Sequence, residues 1–430
     1  MQFKPLQLRN TNTLFEHLCF GLLCVLLSNP TLAEQTDQIE SLTLQRAISL
    51  AIAANPQIAI SVREREAIEG VKTQAAASPN PSISTSIQDT RSENRQTFLQ
   101  INQEIELGNK RQIRMDAAEA LYSKADLELE LKRAEIHANT VAAFYEVLVV
   151  QEKLALTKSS VDIAAAALNA SEKRVQAGKS SPVEETKSKI ANSFARIEYN
   201  QANAQLMSAR KKLAALWGNF SPAFLHADGD VAFVPELAPL TDLTARLEEA
   251  PAIKLAKSEI ASRSAITKIE QSKATPNITL SAGMVNNQEL GGINQALLGL
   301  SVPIPLFDRN QGNLQEAVAR EFKAQDELRL LQNQLQTQLA MHYEQLIATK
   351  STAKSYAIEI LPGAQSAFDS ATKGFQAGKF NFLDVLDAQR TLFQAKTLYI
   401  QALLSAHLAV AEIERILGDV VDHSSHHSQE

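Results

Sequence analysis

Apolar residues recur at helical spacing through most of the chain, and only four short stretches alternate in the manner of a strand. Between residues 109 and 177 there is neither Gly nor Pro, and strong helix formers such as Ala, Leu, Glu and Lys predominate. At 1.5 Å per residue, one helix over this run would approach ~100 Å. Its apolar stripe has the four–three spacing of a coiled-coil seam and comprises Leu127, Leu131, Ala134, Ala138, Val141, Tyr145 and Leu148.

Other helices are predicted by the same criteria. A short one begins with Thr43 as its N-cap, and Asn55-Pro56 interrupts it because proline disfavours helical geometry at the residue before it. Pro362-Gly363 predicts a kink. The other long uninterrupted runs cover residues 183–217, 313–361 and 381–417.

The alternating stretches predict two hairpins, over residues 82–105 and 278–304. Ser78-Pro79-Asn80 precedes the first hairpin and matches Thr275-Pro276-Asn277 before the second, so each hairpin follows a similar helix-to-strand junction. One face of each hairpin is apolar and the other polar. Strands of about ten residues with this pattern suit a membrane barrel, and an ordinary surface hairpin is the alternative.

The chain reads as two related halves. Gln176-Ala177-Gly178-Lys179 returns as Gln376-Ala377-Gly378-Lys379, a shift of 200 residues, and Gly218 aligns with Gly418 at the same shift. Chance recurrence of a helix-ending glycine is the alternative to duplication. The predicted divisions are a signal peptide at 1–33, a first repeat at 34–217, a Pro- and Gly-containing linker at 218–240, a second repeat at 241–418 and a tail at 419–430.

The N-terminus has the features of a cleaved secretory signal. A basic start precedes the apolar stretch 18–27, and small residues end at Ala33. Cys19 and Cys24 both lie in the apolar stretch without a lipoprotein-type cleavage site, so we predict an exported, cysteine-free mature chain without a lipid anchor. Losing Lys4, Arg9 and Glu16 takes the formal net charge from −6 to −7, and this acidity argues against a nucleic-acid partner.

Four strands per chain cannot span a membrane alone. An open sheet would leave unpaired edges in lipid, which is not tolerated, so the membrane interpretation requires several chains to pool their strands into a closed barrel. Candidate chemistry is sparse: there is no nucleophile–base cluster, Gly-rich phosphate loop or HExxH helix, and no enzyme activity or cofactor is predicted. The one weak metal candidate is the tail with His423, His426 and His427, which is equally typical of a disordered terminus.

Several motifs together resemble the TolC family of outer-membrane efflux ducts, over essentially the whole mature chain. They are Leu42-Thr43-Leu44-Gln45-Arg46-Ala47 with Asn55-Pro56, the duplicated halves, and Gly378 followed by Asp384-Val385-Leu386-Asp387. The stretch from Val302 to Gly312 (VPIPLFDRNQG) is similar to the heavy-metal branch, the outer-membrane part of cobalt–zinc–cadmium exporters, as is Glu106 to Arg111 in the first half.

The resemblance implies a mainly α protein with membrane β strands. Three identical chains would form an α-barrel tunnel through the periplasm, continued by a twelve-stranded β-barrel in the outer membrane. A periplasmic adaptor and an inner-membrane pump of the resistance–nodulation–division type would be its partners, and heavy-metal cations its cargo. A multidrug or type I secretion duct and a pore-less periplasmic coiled-coil adaptor are the alternatives.

The resemblance also assigns roles at the two repeated turns. These would be periplasmic tips that face the adaptor, through Gln176, Gly178, Lys179, Gln376, Gly378 and Lys379. Asp384 and Asp387 would line the gate as a ring that attracts cations, whereas spacing alone is equally met by an Asp near a helix N-terminus and a solvated Asp one turn later. Phe375 and Phe380 stand where some members have Tyr and Arg, so closure here is expected to be apolar.

Overall fold

A computed structural model describes residues 41–418, so the predicted signal peptide and the His-containing tail lie outside the described residues. The helices are α1 Leu44–Ala54, α2 Pro56–Ala75, α3 Lys110–Gln176, α4 Pro182–Ala215, α5 Leu240–Arg246, α6 Pro251–Ser272, α7 Gln311–Ser355, α8 Leu361–Gln376 and α9 Phe382–Leu417. The strands are β1 Ser41–Thr43, β2 Ser82–Gln88, β3 Gln96–Ile105, β4 His226–Asp228, β5 Ile278–Asn287 and β6 Ile293–Ser301.

The predicted long helix is present as a single element, α3, of 67 residues. At 1.5 Å per residue it is roughly 100 Å long. Along one part of its length it packs against α2 and α6, and α6 packs in turn against α7, so these helices stand in the row α2-α3-α6-α7. Along another part it packs against α4 and α9. α3 therefore contacts helices of both repeats.

The Leu42–Ala47 motif and Asn55-Pro56 fix a corner beside α3. The Thr43 side chain accepts a hydrogen bond from Arg46 N, as predicted for an N-cap. Asn55 ends α1 and caps α2 through Gln57 N at 2.8 Å, while its amide donates to Leu216 O at 2.7 Å. Asn55 is buried, so each of these bonds satisfies a group shielded from water. The Asn-Pro pair thus ties α1 and α2 to the end of α4.

The segment at 218–240 contains a strand that the sequence does not predict. β4 pairs in parallel with β1, and the Gln151 side chain brackets Ala227 by donating to its carbonyl at 3.0 Å and accepting from its N–H at 2.8 Å. Nearby, buried His407 donates to Val231 O at 2.8 Å and stacks on Tyr145. Burial raises the pKa of the Tyr145 hydroxyl to about 12. His407 is thus a packing residue.

The π turn Tyr356–Ile360 modifies the predicted uninterrupted helix at 313–361. Leu361 N bonds to Tyr356 O, five residues back, just before Pro362. Proline has no N–H and its ring crowds the preceding turn, and a widened turn accommodates it without ending the helix. A π turn therefore joins α7 to α8 just before Pro362-Gly363, where the sequence predicts a kink.

The two hairpins join into one antiparallel sheet of order β2-β3-β5-β6. β2 has 7 residues, which is shorter than the predicted length of about ten. Opposite residues share a face, and one face is mostly apolar and exposed. It carries Ile83, Ile87, Leu99, Ile101, Leu280, Met284, Leu298 and Leu300. The other face carries Ser, Asn and Gln at most positions, with Phe98 and Val285 among the exceptions. The sheet therefore presents a water-compatible face and a lipid-compatible face.

Candidate functional site

The two Gln-Ala-Gly-Lys turns have the same backbone geometry. Gly178 and Gly378 each have φ 69, the left-handed conformation that favours glycine just past a helix end. In the first turn Lys179 N bonds to Arg174 O at 2.8 Å, and in the second Lys379 N bonds to Gly374 O at 2.8 Å. Both are Schellman closures that satisfy carbonyls at the helix end. The residues predicted to face an adaptor are exposed at both turns: Gln176, Gly178 and Lys179 at the first, and Gln376, Gly378 and Lys379 at the second.

The helices that leave the turns are capped differently. Ser181 accepts from Val183 N at 3.3 Å at the start of α4. Asn381 and Asp384 form a capping box at the start of α9, in which Asp384 Oδ2 accepts from Asn381 N at 2.9 Å. Asp384 therefore does stabilise a helix N-terminus, which was the alternative to a gate role. The box leaves the carboxylate exposed, as is that of Asp387 one turn later.

Phe380 is held against the helix that precedes it. A Cβ placed on Gly374 would lie 2.6 Å from Phe380 Cε2, so the ring occupies the space that a side chain at residue 374 would need. The shift of 200 residues aligns Gly374 with Arg174 and Phe380 with Ser180. Only the second tip thus has both the aromatic ring and the gap that receives it.

Phe375 links the two tips. The Arg174 guanidinium lies over its ring, with Cζ 4.7 Å from the ring centroid. A cation–π contact at a partly exposed position contributes about 0.5–1 kcal/mol. The two predicted gate aromatics are therefore brought to the same region but fixed by different partners, Phe375 by the first tip and Phe380 by its own helix. Arg174 was not predicted from the sequence. Its alignment with Gly374 in the second repeat is the signal that could have identified it.

A cleft of about 880 Å³ lies between α4 and α9, over α3. Its apolar walls come from both helices and include Ile190, Phe194, Leu386, Phe393 and Leu398. Phe194 is exposed, as is Ile190. The cleft has the form of a groove between two helices that could receive an elongated helical partner.

Residues 41–418 contain neither a membrane-spanning helix nor a metal-binding group of side chains. None of their helices is long and apolar enough to cross a membrane. In the same part of the chain, no group of three or more His, Cys, Asp or Glu is arranged to hold a metal ion.

The fold is that of an outer-membrane channel. The Neisseria gonorrhoeae MtrE outer membrane channel, solved in its open state, superposes with a TM-score of 0.72 at 17% identity, over 87% of this chain and 88% of that chain. The chain belongs to the outer membrane efflux protein family, whose pattern it matches over residues 47–219 and 243–419. This confirms the resemblance found in the sequence and favours a transport channel over an enzyme.

Two relatives place the chain within the family. It is 41% identical over 377 residues to the cobalt-zinc-cadmium resistance protein CzcC of Cupriavidus metallidurans, which covers 88% of this chain and 90% of that protein. It is 25% identical over 341 residues to the nickel-cobalt-cadmium resistance protein NccC of Alcaligenes xylosoxydans xylosoxydans, covering 76% of this chain and 74% of that protein. The similarity to the heavy-metal branch is thus confirmed.

Proposed function

We propose that this protein is the outer-membrane duct of a tripartite efflux system that exports heavy-metal cations. The observation that carries the proposal is the 41% identity to a cobalt-zinc-cadmium resistance protein along nearly the whole length of both chains. The tunnel-type fold supplies the passage, and the cation is cargo rather than a resident cofactor. The export signal predicted at residues 1–33 agrees with a location in the outer membrane.

Three chains complete the pore in this proposal. The apolar face of the sheet would meet lipid and its polar face would line the lumen. β2 and β6 are edge strands with unpaired backbone groups, and joining three sheets edge to edge closes a barrel of twelve strands. The helix row α2-α3-α6-α7 would continue the barrel into the periplasm.

The partners would dock at the opposite end. The cleft between α4 and α9 offers an apolar surface to helices of a periplasmic adaptor, and the exposed Gly178 and Gly378 turns offer a second contact surface. An inner-membrane pump of the resistance–nodulation–division type would drive transport, since the sequence has no Gly-rich phosphate loop that could couple nucleotide hydrolysis to it. The duct itself supplies a passage and a gate.

A cargo test separates heavy metals from the multidrug and type I secretion alternatives. Deleting the gene in its native host is expected to lower the tolerated concentrations of Co²⁺, Zn²⁺ and Cd²⁺ severalfold, with tolerance restored by the intact gene. Growth inhibition is measured in parallel with hydrophobic antibiotics as the control. Unchanged metal tolerance together with new antibiotic sensitivity would refute the metal assignment and favour a drug duct.

Asp387 gives a direct test of the proposed cation gate. Three copies of Asp384 and Asp387 would put six carboxylates around one axis and favour cations there. Asp387→Asn is expected to reduce the preference for K⁺ over Cl⁻, measured as the reversal potential across planar bilayers in a salt gradient. The single Asp387 variant leaves the capping box intact.

The matched control for that variant is Glu184→Gln. The repeat shift of 200 residues aligns Glu184 in the first repeat with Asp384 in the second. This variant therefore removes one carboxylate at the first tip instead of the second. We expect its reversal potential to equal that of the unaltered protein. Equal selectivity in all three proteins would show that Asp387 does not line the narrow part of the pore.

A further inference from the structure

The exit from the first hairpin contacts the entry to the second hairpin. The equivalent exit from the second hairpin lacks such a contact within the described residues. Where β3 enters α3, the Lys110 side chain donates to Asn277 Oδ1, and Asn277 Nδ2 donates to Glu104 Oε1 at 2.6 Å. A Cβ at Gly108 would lie 3.1 Å from Thr275 Cβ, which shows how closely the two backbones approach. The exit from the first hairpin is therefore packed against the Thr275-Pro276-Asn277 entry to the second.

The equivalent exit from the second hairpin meets no hairpin entry within the described residues, and its Asn310 side chain donates instead to Glu270 of α6 at 2.7 Å. Asn109 and Asn310 mark equivalent positions, because each is the left-handed residue before the following long helix, with φ 58 and φ 61. Residues 301–309 are all exposed, whereas five of their nine counterparts at 100–108, Asn102 and Ile105 among them, are half-buried. We call Val302–Phe307 the strap.

The strap is strongly apolar for an exposed segment. Phe307 is 91% exposed and Ile304 is 76% exposed, and Val302 and Leu306 are exposed as well. Such a contiguous apolar run on the surface indicates a contact surface. It continues directly from β6, which is one of the two unpaired edges of the sheet.

The other unpaired edge begins with the matching entry sequence. β2 follows Ser78-Pro79-Asn80, the counterpart of Thr275-Pro276-Asn277. In the order β2-β3-β5-β6 all neighbours are antiparallel, so β6 and the β2 of a second copy would also meet antiparallel. An open edge, an exposed strap and an entry sequence that exposes Ser78 and Asn80 therefore occur on complementary sides of one chain.

We propose that the strap of one chain packs against the Ser78-Pro79-Asn80 entry of the next, reproducing between chains the junction seen within the chain. The occupant of the strap is thus a second copy of this protein. The inference rests on the trimeric duct proposed above and adds the residues that close it. It also explains why the first repeat has a polar Lys110–Asn277–Glu104 junction but the second has an apolar one: the intrachain contact is covalently held in register, whereas the interchain contact needs apolar surface to drive association.

The internal junction also gives the register of the seam. Within the chain Gln103 pairs with Leu280, at six residues before Asn109 and three after Asn277. The same spacing from Asn310 and Asn80 pairs Ile304 of one chain with Ile83 of the next. Both then lie on the apolar face of the sheet, since Ile83 pairs with Ile101 there. A slip of one residue would turn the strap to the polar face.

Paired cysteines test this register, because residues 34–430 contain no cysteine. The variant Ile83→Cys/Ile304→Cys, purified in detergent and oxidised, is expected to run as covalent dimers and trimers on denaturing gels and to return to monomers with reductant. Gln103→Cys/Leu280→Cys is the internal control and is expected to form its disulfide within one chain. Ile304→Cys/Phe220→Cys uses the exposed Phe220 of the 218–240 segment and is expected to give no oligomers.

Light scattering of the unaltered protein in detergent separates the two levels of the proposal. A trimer in which Ile83→Cys/Ile304→Cys stays uncrosslinked would overturn the strap contact while leaving the trimeric duct intact; a strap lying on lipid would give this result. A monomer would overturn the trimeric duct and the strap contact together. Crosslinking only in pairs displaced by one residue would show that the register is wrong.

Discussion

Replacing Gly283 by alanine is expected to abolish the assembled channel. Gly283 lies in β5 opposite Gln100 of β3, where a Cβ would come within 2.6 Å of Gln100 Cα and closer still to Leu99 O. Overpacking of movable side chains costs about 1–3 kcal/mol, and here the obstacles are backbone atoms that cannot rotate away, so we expect a cost at or above that range. Because β3 and β5 join the two hairpins, separating them divides the sheet.

The measurement is the amount of protein in the outer-membrane fraction and its resistance to dissociation in detergent. Gly299→Ala is the matched control, because Gly299 lies in β6 of the same sheet and a Cβ there would meet Ser281 Cβ at an ordinary 3.5 Å. We expect Gly299→Ala to assemble normally. Normal assembly of Gly283→Ala would mean that the close β3–β5 pairing described here is wrong.

The long helices and the hairpins could be predicted because each is encoded locally. Residues 110–176 contain no Gly or Pro that would interrupt a helix, and α3 includes all of these residues. Alternation of apolar and polar residues fixed the faces of β2 and β3, whose register puts Ile83 opposite Ile101 as the pattern requires. The repeated glycine turn located both tips for the same reason, since only a left-handed residue closes the helix in that way.

The β1–β4 pair could not be predicted, because its strands are too short to show any periodicity. Each has three residues, and the pairing joins Ser41 to His226 across most of the first repeat. What stabilises it is the Gln151 side chain, which completes the hydrogen bonds of Ala227 from the other side. Neither Gln151 nor Ala227 belongs to a recognisable motif. Such a pairing between distant residues forms only when the chain has folded, so no local sequence pattern predicts it.

At the tips, the residues of interest could be identified from the sequence, but the contacts that they make could not. The sequence left Asp384 between a capping role and a gate role, and the capping box shows that the first is real without removing the exposed carboxylate needed for the second. The sequence also placed Phe375 and Phe380 together as apolar gate residues. Their different partners, Arg174 and Gly374, follow from how the two tips approach one another, which no single-segment pattern encodes.

Gly374→Ala is expected to open the tip while stabilising the helix that carries it. In a helix interior alanine is favoured over glycine by roughly 1 kcal/mol, so α8 should form at least as well. The new methyl group would nevertheless occupy the space of the Phe380 ring and displace it. If apolar contact closes the tip, losing this ring removes the hydrophobic constriction, and single-channel conductance in planar bilayers should rise severalfold.

Two variants make that result specific to the Gly374–Phe380 contact. Gly363→Ala lies in the same helix with no atom near its Cβ, and it should match the helix stabilisation without changing conductance. Phe380→Ala should raise conductance by removing the ring itself, and the double variant Gly374→Ala/Phe380→Ala should conduct no more than Phe380→Ala alone, since both changes act on one contact. Additive increases, or unchanged conductance in Phe380→Ala, would show that the tip is closed by other residues, with Arg174 over Phe375 the next contact to remove.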